Sequence, residues 1–197
     1  VRQGLRLPHI STTHVMHAIG VSKNVVYLSK AQRAGHAAQL NRDLCQSPVV
    51  YVPIDPKLKP MGLPRSEYLL FLGRVVECKG VLEAAKVAKL LKRTLIIAGP
   101  TWEQYAGEIK DANPDVLFVG EVSGRYKNEL LEQAWALMNL FNDTDGWSEP
   151  GNGTFGEAMA FNTPIAAFPN GCLMEQVVNG QNGWVATTVD DMATNME

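Results

Sequence analysis

The sequence holds no apolar run long enough to cross a membrane, no excess of basic residues and no paired-cysteine motif. A spanning helix needs about 20 consecutive apolar residues, so no membrane span is expected. Formal net charge is −2, which leaves no electrostatic footprint for nucleic acid or for an anionic membrane surface. Cys45, Cys78 and Cys172 lack CxxC spacing. They read as reduced thiols of a cytoplasmic protein rather than as metal ligands or a disulfide framework. His9, His17 and His36 show no triad or metal spacing, and there is no internal repeat or low-complexity tract. The N-terminus, Val1-Arg2-Gln3-Gly4, lacks the apolar core of a signal peptide.

What is present is an alternation of short β-like runs with amphipathic helical stretches. Strands are expected at 24–28 and 49–52, with a helix at 30–40 between them. Three prolines in the eight residues 53–60 make the best linker candidate. The alternation then restarts. Strands are expected at 68–72, 94–98, 116–119, 138–142, 164–168 and 184–186, and helices at 81–91, 102–111, 126–137, 154–161 and 173–178. This pattern predicts an α/β fold, a Rossmann-like parallel sheet with helices on both faces.

In such sheets ligands bind beyond the carboxyl ends of the strands. Four successive strand ends carry polar or glycine residues: Gly73-Arg74, Gly99-Pro100, Gly120-Glu121 and the stretch from Glu149 to Gly153. Arg74 at a strand end and Lys79 just before a helix are suited to a diphosphate, with the helix dipole adding to the attraction. The bland alternative is a solvated basic pair. Glu149 and Glu157, seven residues apart across a glycine-rich turn, are suited to gripping two parts of a polyhydroxylated ligand, because carboxylates accept strong hydrogen bonds. Glu157 reads as a residue that opens a helix and bonds ribose hydroxyls, whereas Glu149 reads as the residue facing the transferred sugar. Gly151, Asn152, Gly153 and Thr154 form the intervening sugar or phosphate loop. Gly151 to Gly156 also fits GxGxxG, but a lone match is weak and the acid expected at the next strand end is missing. Trp102, Trp135 and Trp184 read as packing residues.

Taken together these residues resemble the family 4 retaining glycosyltransferases of the GT-B fold, and within them the avilamycin-type branch. Glu149…Glu157 resembles that family's E-x7-E. Phe71-Leu72-Gly73-Arg74…Lys79-Gly80 resembles its phosphate clamp, and Glu157-Ala158-Met159-Ala160…Thr163-Pro164 its EAMA…TP run. Asn170-Gly171…Glu175…Gly183-Trp184 is similar to GG…E…G, and Pro8-His9-Ile10-Ser11-Thr12-Thr13-His14 to P-x-V-x-T-x-H near the acceptor. The family usually has Phe-Gly two residues after the first Glu, where this chain has Pro150-Gly151-Asn152-Gly153.

The resemblance implies sugar transfer from a nucleotide-diphosphate donor to an acceptor, with retention and without metal or cofactor. It implies Glu149 and His14 as catalytic residues, Arg74 and Lys79 as the diphosphate clamp and Glu157 as the ribose ligand. Base contacts fall at Gly99, Gly120 and Val122. Residues 1–57 are expected to be a remnant of an N-terminal, acceptor-side domain and 58–197 the donor-binding domain, its C-terminal helix cut short at Glu197. The chain would then be a fragment or a reduced protein, with the rest of the N-terminal half as a partner. A non-catalytic nucleotide-sugar-binding module and a UDP-sugar epimerase of the same fold stay open as alternatives.

Overall fold

The structure, a computed structural model, describes residues 11–12, 24–142 and 148–197. His14 lies outside them. Two sheets form. The smaller pairs β1 (Ser11–Thr12) with β2 (Val25–Val26) in parallel, and α1 (Lys30–Leu40) follows. The larger has six parallel strands: β3 (Leu69–Leu72), β4 (Leu95–Ala98), β5 (Leu117–Gly120), β6 (Ala136–Asn139), β7 (Ile165–Ala167) and β8 (Gly183–Val185). Their order is β5-β4-β3-β6-β7-β8. Between them run α2 (Val81–Leu90), α3 (Glu103–Ala112), α4 (Gly124–Gln133), α5 (Gly153–Ala160) and α6 (Leu173–Gln176), with α7 (Val189–Met196) last.

Period-two alternation sends successive strand residues to two separate cores. Leu69 and Phe71 of β3 join Met138 of β6 and the apolar faces of α2 and α7. Leu70 joins Leu137, Leu131 of α4 and Phe155 of α5 on the other face. Both faces are therefore covered, as an all-parallel sheet requires. Fully burying each such Leu or Phe contributes about 1.5–3 kcal/mol.

Two expectations need correction. The helix expected at 126–137 ends at Gln133, because Ala134 is extended (φ −61°, ψ 136°). Residues 136–139 are then a strand, its first two paired with Leu69 and Leu70. The strand expected at 49–52 reduces to a single bridge from Val49 to Tyr27. The C-terminal helix is α7, its buried Met192, Ala193 and Met196 matching a helical period.

The proline-rich stretch joins no ladder, and its exit is fastened. Glu132 of α4, 4 % exposed, accepts from the backbone N–H groups of Met61, Gly62 and Leu63 at 2.7–3.1 Å.

Candidate functional site

Chain order reverses between β3 and β6, so crossovers leave the sheet centre in opposite directions. A crevice opens there at the carboxyl edge, the usual ligand position in such sheets. It is a cleft of about 360 Å³ bordered by Arg74, Lys79, Glu149 and Glu157, with Gly151, Asn152, Gly153 and Thr154 along its wall. Backbone contact draws the strand ends together. A Cβ on Gly99 would lie 1.8 Å from the Gly73 carbonyl oxygen, and one on Gly80 (φ +67°) 1.6 Å from that of Leu140. Only glycine permits either approach.

Lys79 closes a short 3-10 turn before α2. Its Nζ donates to Glu149 Oε2 at 2.5 Å and lies 4.4 Å above the Phe141 ring. Glu149 is 6 % exposed. Its N–H donates to Asn170 Oδ1 at 2.7 Å, and its carbonyl accepts from the Cys172 N–H at 2.9 Å. Gly171 (φ +54°) sits so close that a Cβ would meet the Glu149 carbonyl oxygen at 2.2 Å. The 170–172 turn thus fixes the backbone of Glu149. The buried Cys172 thiol is pushed up to about 12 by burial, with the Glu149 and Glu175 carboxylates adding to the shift. Arg74 is exposed at the cleft rim.

Asn152 caps α5, its Oδ1 accepting from the Phe155 N–H at 3.2 Å and from Thr154 Oγ1 at 2.7 Å. The helix therefore begins at Gly153, and Glu157 stands in its second turn rather than opening it. From there it meets α4, where Lys127 Nζ donates to Glu157 Oε1 at 2.6 Å. Lys127 escaped the sequence reading, since nothing near residue 127 announces it and only the packing of α4 on α5 brings it in. Each glutamate thus carries its own lysine. The pairing offsets the cost of burying carboxylate charge and lowers the repulsion a diphosphate would otherwise meet.

Two of the three glycines of the GxGxxG match answer to packing. A Cβ on Gly151 would lie 2.9 Å from side-chain atoms of Leu28 and Val52, and one on Gly156 would lie 2.6 Å from Ile54. The segment around Leu28, Val52 and Ile54 lies directly against this turn.

Gly99, Gly120 and Val122 do not border the cleft. Gly99 N–H donates to the Gly120 carbonyl at 2.8 Å. The Val122 side chain packs on the core beneath. Trp135 and Trp184 stack at 5.4 Å. Trp102, expected to pack, is 75 % exposed, because it occupies the N-cap of α3 in extended conformation, off the helix's buried face. Among the described residues no cluster of three or more His, Cys, Asp or Glu could hold a metal ion, and no helix is long and apolar enough to cross a membrane.

The family described as glycosyl transferases group 1 matches residues 58–196. Among solved structures, AviGT4, a glycosyltransferase involved in avilamycin A biosynthesis, is 33 % identical with a TM-score of 0.82 over 95 % of this chain and 57 % of its own. HepE (Alr3699) of Anabaena, solved with UDP and glucose, is 20 % identical with a TM-score of 0.70 over 87 % of this chain and 52 % of its own. TarM of S. aureus is 19 % identical with a TM-score of 0.69 over 94 % of this chain and 42 % of its own. At these lower identities HepE and TarM report on the fold alone. The chain spans about half the length of these proteins. No curated protein sequence matches it significantly.

Proposed function

Because the chain belongs to the glycosyl transferases group 1 family and has the fold of GT-B glycosyltransferases, we propose that its six-stranded unit binds a nucleotide-diphosphate sugar, UDP- or GDP-linked, for transfer with retention. On this reading residues 58–197 are the donor side and 1–57 the acceptor side of a family 4 enzyme of the avilamycin-type branch. The observation that carries the proposal is the meeting of two cations and two lysine-paired glutamates in one cleft at the point where strand order reverses.

The roles follow from charge and position. Arg74 and Lys79 stabilise the diphosphate and its developing leaving-group charge, the work otherwise given to a divalent ion, so transfer is metal-independent. The N-terminus of α5 adds a partial positive charge toward the same space. Glu157, oriented by Lys127, accepts from ribose hydroxyls. Glu149 faces the sugar, and a bound diphosphate competes with it for Lys79. No side chain is assigned as nucleophile. The family resemblance assigns front-face departure, with the leaving phosphate helping to deprotonate the acceptor, and gives His14 a catalytic role. The free thiols suit a reducing, cytoplasmic setting.

A thermal-shift panel of UDP-, GDP- and ADP-sugars against NAD tests the proposal. A ligand specific to the folded state raises the melting temperature, so one sugar nucleotide should do so and NAD should not. A shift with NAD alone contradicts it. A second reading, binding without transfer, is favoured by the burial of Glu149 under Lys79 and by the seating of Leu28 and Val52 on Gly151. Release of free nucleoside diphosphate from the bound donor, with an acceptor present, separates the two.

A further inference from the structure

One carboxylate of the six-stranded unit reaches into the N-terminal segment. Glu175 of α6 accepts from the backbone N–H groups of Lys30 at 3.0 Å and Ala31 at 2.6 Å, and from the Tyr51 hydroxyl at 2.8 Å. Lys30 and Ala31 open α1, where N–H groups have no partner within the helix. Local residues satisfy the neighbouring donors. Ser29 Oγ accepts from the Gln32 N–H at 3.0 Å, and Gln32 Oε1 accepts from the Leu28 N–H at 2.8 Å, a reciprocal cap. The two donors this cap leaves over are met from 145 and 144 residues away. Negative charge is favoured at that helix end. The hydrogen bond to Glu175 is also the largest cause of the raised Tyr51 phenol pKa.

The same short stretch of chain holds Glu149. Asn170 Oδ1 and the Cys172 N–H grip the Glu149 backbone on either side of Gly171, and Glu175 follows three residues after Cys172. Leu28, which precedes the α1 cap, and Val52, which follows Tyr51, are the residues that press on Gly151. A closed path therefore runs from Glu149 through the 170–172 turn to Glu175, through α1 and Tyr51, and back to the glycine turn beside Glu149. Glu175 itself does not border the cleft.

Resting on the donor-site reading above, we infer that Glu175 is a positioning residue. It clamps the N-terminal segment onto the donor unit and thereby holds Glu149 and its glycine turn in register with the donor sugar, without touching the nucleotide.

The test uses Glu175→Ala, Glu175→Gln and Tyr51→Phe in the full chain, with amide exchange and calorimetry against a nucleoside diphosphate (UDP or GDP) and the matching sugar nucleotide. In Glu175→Ala, exchange at Lys30 and Ala31 should rise about tenfold or more. Affinity for the sugar nucleotide should fall about tenfold, while that for the nucleoside diphosphate stays within about twofold. Glu175→Gln should restore part of the loss, since its amide oxygen still accepts. Tyr51→Phe removes one donor and should give the same split at about threefold, which keeps the test open if Glu175→Ala does not fold. Unchanged exchange overturns the inference. Equal losses for both ligands, or no loss for either, also overturn it. If the unmutated chain binds neither ligand, the donor-site reading fails by itself, and exchange at Lys30 and Ala31 still decides whether Glu175 makes the clamp.

Discussion

Two clefts open at opposite edges of one sheet, and the larger has the poorer chemistry for a ligand. The amino-edge cleft, about 520 Å³, is bordered by Lys89, Lys92, Arg93 and Asp115. Two of its three cations are already engaged. Arg93 donates to the Glu67 carbonyl and carboxylate and lies 3.9 Å above the Trp135 ring, while Lys89 Nζ donates to the Ala112 carbonyl at 3.0 Å. These contacts tie strand starts to helix ends. The carboxyl-edge cleft is smaller, at about 360 Å³. It gathers a helix N-terminus, a capping asparagine, an exposed arginine and two lysine–glutamate pairs at the switch in strand order. A carboxyl edge points loops and helix N-termini outward together, while an amino edge receives helix C-termini. Position in the topology, more than volume, marks the site.

The strongest way to break this comparison acts on the backbone. Gly80→Ala at the carboxyl edge should destabilise the fold by roughly 3 kcal/mol or more, since φ is positive and a Cβ meets the Leu140 carbonyl. Gly107→Ala, in open space on α3, should stabilise by about 0.5–1 kcal/mol. Urea unfolding measures both. Next, Arg74→Ala should weaken nucleoside diphosphate binding about tenfold, while Lys89→Ala at the amino edge should leave it unchanged in calorimetry. A loss in Lys89→Ala equal to that in Arg74→Ala would transfer the site to the other cleft. Smaller effects should separate the glutamates. Glu157→Gln should weaken nucleotide and sugar nucleotide alike by about fivefold, and Glu149→Gln the sugar nucleotide only.

The least effect concerns thiols. Cys172, buried and raised from an ordinary value of 9.0 to about 12, should resist alkylation at pH 8 while exposed Cys45 reacts. A thiol whose folded value lies above its unfolded one contributes stability that is fully present below pH 9. That stability is lost as pH rises through about 12. Stability should accordingly decline over that window, as followed by urea midpoints.

Much of this was legible in the sequence because its punctuation is strong. Leu69–Leu72 is a continuous apolar run ended by Gly73-Arg74, and a strand buried on both faces reads that way. The stretch from Leu130 to Phe141 carries no glycine or proline, so the change from α4 to β6 was placed too late. Only the extended Ala134 marks it. Both glutamates stood out, and the family resemblance gave them roles. Their lysines differ in legibility: Lys79 adjoins a glycine at a helix start, whereas Lys127 sits on a helix surface 30 residues from its partner. The glycines of the 151–156 turn looked like a ligand fingerprint, and the structure gives two of them a packing reason in Leu28, Val52 and Ile54. Long-range neighbours of that kind leave no local trace.

The central claim is that the carboxyl-edge cleft takes the donor diphosphate. A crystal structure of the chain with a nucleoside diphosphate tests it most directly. Phosphate oxygens are expected on Arg74 and Lys79, ribose hydroxyls on Glu157, and Lys79 shared between phosphate and Glu149. A diphosphate bound among Lys89, Lys92 and Arg93, or a ribose away from Glu157, would contradict it.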